Sequence, residues 1–361
     1  MQSAISLEDL TRFSEFDNHK KVIRFEDASV GLRGFIAIHN DNLGSATGGT
    51  RMFPYKNEDE ALRDVLRLSR AMTYKCALAG VRHGGGKAVI IGDPDKDKSE
   101  KLLRAYARVI NELNGQFTTG EDVGMSEDDV QIMLQESKFF NGRRGVAGDP
   151  SPYAALSTFY AIEIAILELF GREELRGHTV AVKGVGKVGT ELTRLLLEAG
   201  AEVAIADINP HVVSSLVEQF SSVRVVSPKE IHREGVNVFA PCALGNEISA
   251  ENIQEFQARI ICGSANNQLA SPEVGDELFR RKIFYVPDYV ANAGGLINVV
   301  DELEVGGYNR ERVLDRIRNI KNTLTAIYRL ARERNNPLFR IADELAERIF
   351  RGGESLVTVV L

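Results

Sequence analysis

Apolar and polar positions change period repeatedly along this chain, and each change marks an element. Phe35-Ile36-Ala37-Ile38 is a short apolar run closed by Asn40-Asp41-Asn42, which predicts a strand and a turn. From Glu58 the residues Ala61, Leu62, Val65, Leu66, Leu68 and Met72 keep helical spacing, so a helix is expected to end at Lys75. Ala88-Val89-Ile90-Ile91 reads as a buried strand, entered from a turn of three glycines, Gly84-Gly85-Gly86. Ser99 opens a helix carrying Leu102, Leu103, Tyr106, Ile110 and Leu113, and Asn114-Gly115 ends it. Phe117-Thr118-Thr119 is a short strand running into Gly120-Glu121-Asp122-Val123-Gly124. Ser126 then caps the acidic first turn Glu127-Asp128-Asp129.

The glycine-rich, polar stretch Asn141 to Pro150 marks a domain boundary, set between residues 145 and 146. Beyond a long helix from Pro152 to Phe170 the pattern alternates. Strands are expected at His178–Val182, Glu202–Ala206, Val236–Ala240, Arg259–Cys262 and Ile283–Val286, with helical segments between them, the first from Thr190 to Ala199. Such alternation means a parallel sheet with helices on both faces. From Asn309 the chain reads helical, with Val313, Ile317, Ile320, Leu324 and Ile327 as one stripe and Pro337 restarting a final helix.

Composition narrows the function. The 361 residues are 43% hydrophobic and 26% charged, an ordinary globular balance with length for two domains. A net charge of −7 supplies no basic field for nucleic acid or an anionic membrane. No apolar run is expected to reach the ~20 residues of a membrane span. Cys76, Cys242 and Cys262 are scattered without metal or disulfide spacing, which suits a reduced, cytoplasmic compartment. Six histidines form no metal-binding cluster, so no catalytic metal is expected.

The strand ending at Val182 runs into Gly184-Val185-Gly186-Lys187-Val188-Gly189, and Asp207 closes the next strand 18 residues after Gly189. That is a dinucleotide fingerprint in full context. The glycines let backbone approach the pyrophosphate at a helix N-terminus, and the aspartate takes the adenosine ribose. Its carboxylate would repel a 2′-phosphate, which favours NAD over NADP. Lys187 within the loop has two open readings, a phosphate contact or a solvated side chain.

A dinucleotide domain needs a substrate, and the first half offers Lys75, Lys87 and Asp122. A lysine at the edge of a glycine-lined pocket is desolvated, and a second ammonium nearby lowers its pKa further, towards that of a general base. One lysine can then hold a substrate carboxylate, the other can activate water, and a carboxylate can move protons at an amine. That set suits oxidative deamination of an α-amino acid. The plainer reading is a glycine turn with two snorkelling lysines, and an Asp122 that only caps a turn.

These residues resemble the glutamate/leucine/phenylalanine/valine dehydrogenase superfamily, in its short hydrophobic-amino-acid branch. The matching stretches are Gly48-Gly49-Thr50-Arg51-Met52, Met72-Thr73-Tyr74-Lys75, Gly84-Gly85-Gly86-Lys87, Glu121-Asp122-Val123-Gly124, Ala240-Pro241-Cys242-Ala243, Asn266-Asn267-Gln268-Leu269, and Pro287-Asp288-Tyr289-Val290 with Asn292-Ala293-Gly294-Gly295. The resemblance implies two α/β domains, a substrate domain and a Rossmann-type NAD-binding domain, with the catalytic cleft between them. Residues 1–145 would carry substrate binding, catalysis and oligomerisation, completed by a C-terminal helix at about 335–361, and residues 146–334 would bind the dinucleotide. It implies that Lys75 holds the substrate carboxylate, Lys87 is the base and Asp122 handles protons at the amine. NAD would lie on Gly184, Gly186, Lys187, Val188, Gly189 and Asp207, with Ala240, Cys242, Asn267 and Asn292 towards the nicotinamide. Thr47, Gly48, Gly49, Met72, Gly120 and Ala291 would line the substrate pocket. No charged residue stands at these positions, so an apolar amino acid is implied, and subunits would form dimers or octamers. The residues look most like those of the leucine enzymes, so leucine and its branched-chain relatives are the first substrates expected. Gly120 and Asn266 resemble the aromatic branch, Ala291 is smaller than the isoleucine often found there, and together these changes would enlarge the pocket, which makes phenylalanine or tryptophan the alternative. An inactive NAD-binding sensor or scaffold is the non-enzyme alternative.

Overall fold

A computed structural model describes residues 2–172 and 174–360, which divide into two compact units. The first comprises Met1–Gly148, Val299–Arg310 and Ala346–Ser355; the second comprises Asp149–Asn298, Glu311–Leu345 and Leu356–Leu361. Residues 335–345, expected with the first domain, thus lie in the second unit, and Val299–Arg310 lies in the first.

The first unit is built on a six-stranded sheet. Its elements are β1 (Gln2–Ala4), α1 (Leu7–Thr11), β2 (Lys21–Asp27), β3 (Leu32–Asn40), β4 (Ala46–Phe53), α2 (Glu58–Leu78), β5 (Gly84–Ile91), α3 (Glu100–Glu112), β6 (Phe117–Glu121) and α4 (Glu127–Leu134). The strand order is β1-β2-β3-β5-β4-β6. β1, β2, β3 and β5 pair antiparallel, whereas β4 runs parallel to both β5 and β6. Side-chain alternation sorts the two faces. Phe35, Ala37, Val89 and Ile91 pack with Ala61, Leu62, Val65 and Leu66 of α2. Ile36, Ile38, Ala88 and Ile90 pack with Leu102, Tyr106 and Ile110 of α3. Each buried valine, leucine, isoleucine or phenylalanine among these contributes roughly 1.5–3 kcal/mol.

Caps fix where the helices begin. Asn57 accepts from Glu60 N at the start of α2, Ser99 accepts from Leu102 N at α3, and Ser126 with Asp129 forms a full capping box on α4. Helix α2 runs three residues beyond Lys75, to Leu78.

The expected glycine turn is a correction. Gly84, Gly85 and Gly86 are the first three residues of β5, and every residue of that strand is buried. A Cβ on Gly85 would strike the Thr73 backbone nitrogen and Oγ1 on α2. One on Gly84 would strike the Asn40 carbonyl, and one on Gly86 the Phe117 ring. Gly85 therefore lets α2 lie against the strand backbone, while Gly84 and Gly86 leave room for the Asn40 carbonyl and the Phe117 ring.

The second unit carries α5 (Ser151–Phe170), β7 (Thr179–Lys183), α6 (Lys187–Glu198), β8 (Glu202–Ala206), α7 (Pro210–Gln219), β9 (Arg224–Val225), β10 (Val238–Pro241), β11 (Ile260–Ile261), α8 (Pro272–Arg280), β12 (Phe284–Tyr285), α9 (Asp288–Ala291), α10 (Gly294–Val300), α11 (Arg310–Arg334), α12 (Leu338–Phe350) and α13 (Leu356–Val360), the last few elements being shared between the units as above. Its strands are all parallel, in the order β12-β11-β10-β7-β8-β9. That is the doubly wound order, with the direction of winding reversing between β7 and β10. Helix α5 corrects a second expectation, because its 20 residues are long and apolar enough, by length and composition, to cross a bilayer. Here Ala155, Ala161, Ile162, Ala165 and Ile166 are buried, and Glu168 pairs with Arg332 of α11 at 2.7 Å, as in the core helix of a folded unit.

Candidate active site

Lys87 points from β5 to the face covered by α2, the side shared with Val89 and Ile91. It is 5% exposed, and its Nζ contacts Asp122 Oδ2 at the end of β6. Burial pushes the Lys87 ammonium down to about 7, the Arg51 and Lys75 cations push the same way, and the Asp64 carboxylate opposes them. Contact with the Asp122 carboxylate works against this, since an adjacent anion favours the charged form.

Asp122 is both turn residue and site residue. Its Oδ1 accepts from Val123 N at 2.6 Å and from Arg51 Nε and Nη2 at 3.3 Å. The turn is tied to β4 by Met52 N donating to Val123 O, and Gly124 takes a positive φ of 79° against the Met52 carbonyl. Gly48 and Gly49 serve close strand approach, for a Cβ on Gly48 would meet the Gly86 carbonyl and Met72, and one on Gly49 would meet Glu121 O and Asp122. Lys75 and Met72 sit half-buried in the last turns of α2. Thr47, on β4, is 1% exposed, and its hydroxyl has no hydrogen-bond partner among the described residues.

Gly120 corrects a third expectation. Asn141, 5% exposed, has its side-chain oxygen where the Cβ of Gly120 would be. The missing side chain admits Asn141 rather than enlarging a pocket. Asn141 is placed there by its own N–H, which donates to Thr119 O at 2.8 Å. The sequence gives no signal for this, since Asn141 lies in a polar stretch that reads as a boundary. Arg51 stood within a motif but carried no role; a charged side chain in a buried strand, two residues after a glycine, is the signal that marks it.

The end of α2 is held by a partly buried network from distant parts of the chain. His39 Nδ1 lies 2.8 Å from Thr73 Oγ1, and its Nε2 lies 3.4 Å from Asp17 Oδ2. Arg70 donates to Asp17 at 3.0 Å and to the Tyr74 hydroxyl at 2.7 Å, and that hydroxyl donates to Glu347 at 2.7 Å. His19 Nδ1 accepts from Asp17 N at 3.2 Å, which leaves its Nε2 to donate to Leu66 O at 3.0 Å. Burial, and next the charge on His39, lowers His19 to about 4, in keeping with a neutral ring.

In the second unit the fingerprint glycines lie at the C-terminal end of β7. Gly184 has φ 95° and its Cβ would strike Ala243, while a Cβ on Gly189 would strike the Gly184 carbonyl. Helix α6 starts at Lys187, three residues earlier than the apolar period predicts, so Lys187, Val188 and Gly189 form its first turn. Gly186 caps that 12-residue helix without a side-chain hydrogen bond, and nothing lies within 4 Å of its ideal Cβ position. A helix N-terminus left open in this way suits a pyrophosphate. Lys187 is solvated, 80% exposed, with Asp149 3.2 Å from its Nζ. Asp207 accepts from Val185 N and Asn209 N at 2.8 Å each, which turns its carboxylate to the rim beside the glycine loop.

On the far side of the winding reversal, Cys242 N donates to Lys183 O at 2.7 Å and its thiol, raised by burial, reaches the strand ends. Ala240 is fully buried inside β10 and Ala291 fully buried in α9, so neither offers surface. Asn267 takes a left-handed φ of 52°. Asn292 is 6% exposed; its Nδ2 donates to Ser264 O and Asn266 Oδ1, while its Oδ1 is buried without a partner among the described residues. A buried acceptor of this kind calls for a donor, and the carboxamide of a nicotinamide is one. The glycine cradle and this orphan acceptor both fit NAD.

Comparison with known proteins agrees. Residues 19–139 match the Glu/Leu/Phe/Val dehydrogenase dimerisation domain, and residues 211–348 match the glutamate/leucine/phenylalanine/valine dehydrogenase domain. The chain is 45% identical over 342 residues to a leucine dehydrogenase of Geobacillus stearothermophilus, covering 94% of this chain and 92% of that one. It is 44% identical over 336 residues to a phenylalanine dehydrogenase of Lysinibacillus sphaericus, covering 91% and 87%. Among solved structures it resembles the L-tryptophan dehydrogenase of Nostoc punctiforme, with a TM-score of 0.81, 40% identity and coverage of 93% and 96%. The chain belongs to the glutamate/leucine/phenylalanine/valine dehydrogenase family of amino-acid oxidoreductases.

Proposed function

We propose that the protein catalyses the NAD-dependent, reversible oxidative deamination of a hydrophobic L-amino acid to its 2-oxo acid and ammonia, with leucine and the branched-chain amino acids as first substrates. The observation that carries this reading is the buried Lys87–Asp122 contact, an ammonium driven towards neutrality against a carboxylate. The likeness to leucine dehydrogenases over more than nine-tenths of the chain supports the substrate.

In this reading Lys75 is a fixed cation for the substrate carboxylate. Asp122 takes a proton from the substrate ammonium, which frees the nitrogen lone pair. Bound NAD supplies the acceptor for the hydride that leaves Cα as the C–N bond becomes an iminium. Neutral Lys87 then removes a proton from water as the water oxygen bonds to the iminium carbon, giving a carbinolamine. Asp122 returns its proton to nitrogen, the C–N bond breaks, and ammonia departs with the hydroxyl proton as ammonium while the 2-oxo acid forms. Gly184, Gly186 and Gly189 with the start of α6 would hold the pyrophosphate, Asp207 the ribose, and Asn292 Oδ1 the carboxamide.

A second reading, an aromatic substrate, draws on the likeness to the tryptophan enzyme. Asn141, whose side-chain oxygen occupies the space at Gly120, weighs against the part of the enlargement that Gly120 would give. The sensor or scaffold alternative finds no support, since the relatives matched along the whole chain are dehydrogenases. The protein acts as a homo-oligomer, dimer or octamer, in the cytoplasm, which light scattering on the purified protein would check. NADH absorbance with leucine, valine, isoleucine, phenylalanine and tryptophan tests the function. Leucine should give the highest kcat/KM, and folded protein that binds NADH yet turns over none of the five would refute it.

A further inference from the structure

Asp122 offers two oxygens and spends them on different partners. Oδ2 meets Lys87, while Oδ1 takes both Nε and Nη2 of Arg51 at 3.3 Å. Arg51 has a third donor in use, Nη1, bonded to Asp64 Oδ2 at 2.9 Å. Asp64 is held in turn by the Tyr55 hydroxyl at 2.6 Å and by Arg67 at 3.0 Å. Burial works to raise the Asp64 carboxyl, but the Tyr55 bond and the Arg51 and Arg67 cations outweigh it and keep it below the usual range.

The chain of charge thus runs anion, cation, anion, cation from Asp64 to Lys87, and it crosses four elements: α2, β4, the turn after β6, and β5. Arg51 is paired in register with Val89, two residues beyond Lys87 on the adjacent strand. Side-chain exposure is 12% at Asp64, 21% at Arg51, 17% at Asp122 and 6% at Lys87. This is not a surface ion pair of the kind that contributes little. The planar fork of the guanidinium also constrains direction, which a point charge would not.

We propose that Arg51, backed by Asp64, is a positioning residue for the Lys87–Asp122 pair: it anchors one oxygen of Asp122 so that the other is presented to the lysine and to the substrate amine. The inference rests on the function proposed above. The charged groups ranged around Lys87 are Asp122 from the turn after β6, Arg51 from β4, and Asp64 and Lys75 from α2. After burial, the Arg51 cation does most to push Lys87 towards neutrality, and Asp64 pulls it back. Loss of Arg51 therefore makes Lys87 harder to deprotonate, and loss of the Asp64 charge makes it easier.

The test is kcat/KM for leucine against pH in the full-length protein, for wild type, Arg51→Gln, Asp64→Asn and Arg51→Lys, with NADH affinity measured by fluorescence on each. In Arg51→Gln the acid limb should move up by roughly 1 pH unit, and in Asp64→Asn it should move down. Arg51→Lys keeps the charge but loses the fork, so its limb should stay near wild type while kcat falls roughly 10- to 100-fold. NADH affinity should be unchanged throughout. Limbs that coincide with wild type, or move in the same direction in the first two variants, overturn the inference, as does wild-type kcat in Arg51→Lys. Should Arg51→Gln fail to fold, the other two variants still decide. A wild type that binds NADH but oxidises no amino acid removes the proposed function and this inference together; an active wild type with unmoved limbs removes this inference alone.

Discussion

Lys87 carries one side chain's worth of chemistry and makes a definite pH prediction. The base proposed here acts only when neutral, and the Lys87 ammonium is held down to about 7. Oxidative kcat/KM should therefore fall about tenfold per unit below pH 7 and level off above it, to be read from initial rates between pH 6 and 10. Gly120 gives a second residue-scale prediction. In Gly120→Ala the new Cβ collides with the Asn141 side chain, which should lower stability by about 1–3 kcal/mol. Adding Asn141→Ala should return most of the loss, a coupling that thermal denaturation of the single and double variants would expose. Lys87 and Asp122, which meet in the structure, stood out in the sequence because a glycine run and lone charges are conspicuous beside apolar strands. Asn141 did not, because its place depends on the pairing of residues 139–141 with Thr119, some 20 positions earlier, which leaves no local pattern.

Helix α2 and strand β5 form the scaffold of the site, and their contact depends on glycine. Gly85→Ala would drive a methyl into the backbone of Thr73, so it should destabilise the fold more than alanine in an exposed strand would, by upwards of about 1 kcal/mol in urea unfolding. The period of α2 was legible along its length, since an amphipathic stripe needs no knowledge of its partner. The run Gly84-Gly85-Gly86 was misread as a turn because propensity alone disfavours glycine inside a strand, and only the crossing helix explains it. His19 adds a pH dependence to this element. Its folded value, about 4, lies below the 6.5 of a free histidine. Between those values the unfolded chain binds the extra proton, so stability is lost as pH falls from 6.5 towards 4 and unaffected by this group above 6.5. The loss is on the order of 3 kcal/mol. His19→Gln should flatten that part of a stability–pH curve measured by urea titration.

Across the whole molecule, the alternation that makes the second unit a doubly wound sheet was plain from strand and helix periods, and the fingerprint fixed its ligand class. The two-residue strand Arg224–Val225 was missed because two exposed residues carry no period. The first unit's strand order, with β5 between β3 and β4, was also beyond reach, since pairing of distant strands leaves no local pattern. In the proposed reading Asp207, beside the glycine loop, selects NAD, so Asp207→Ser should narrow the preference for NADH over NADPH in a binding titration. The central claim is that this fold places a lysine base beside a carboxylate for amino-acid oxidation. Its most direct test is turnover of leucine and NAD by Lys87→Ala against wild type, with NADH binding as control. The account predicts a loss in kcat of roughly 100-fold or more with NADH affinity intact; Lys87→Ala turning over at the wild-type rate would contradict it.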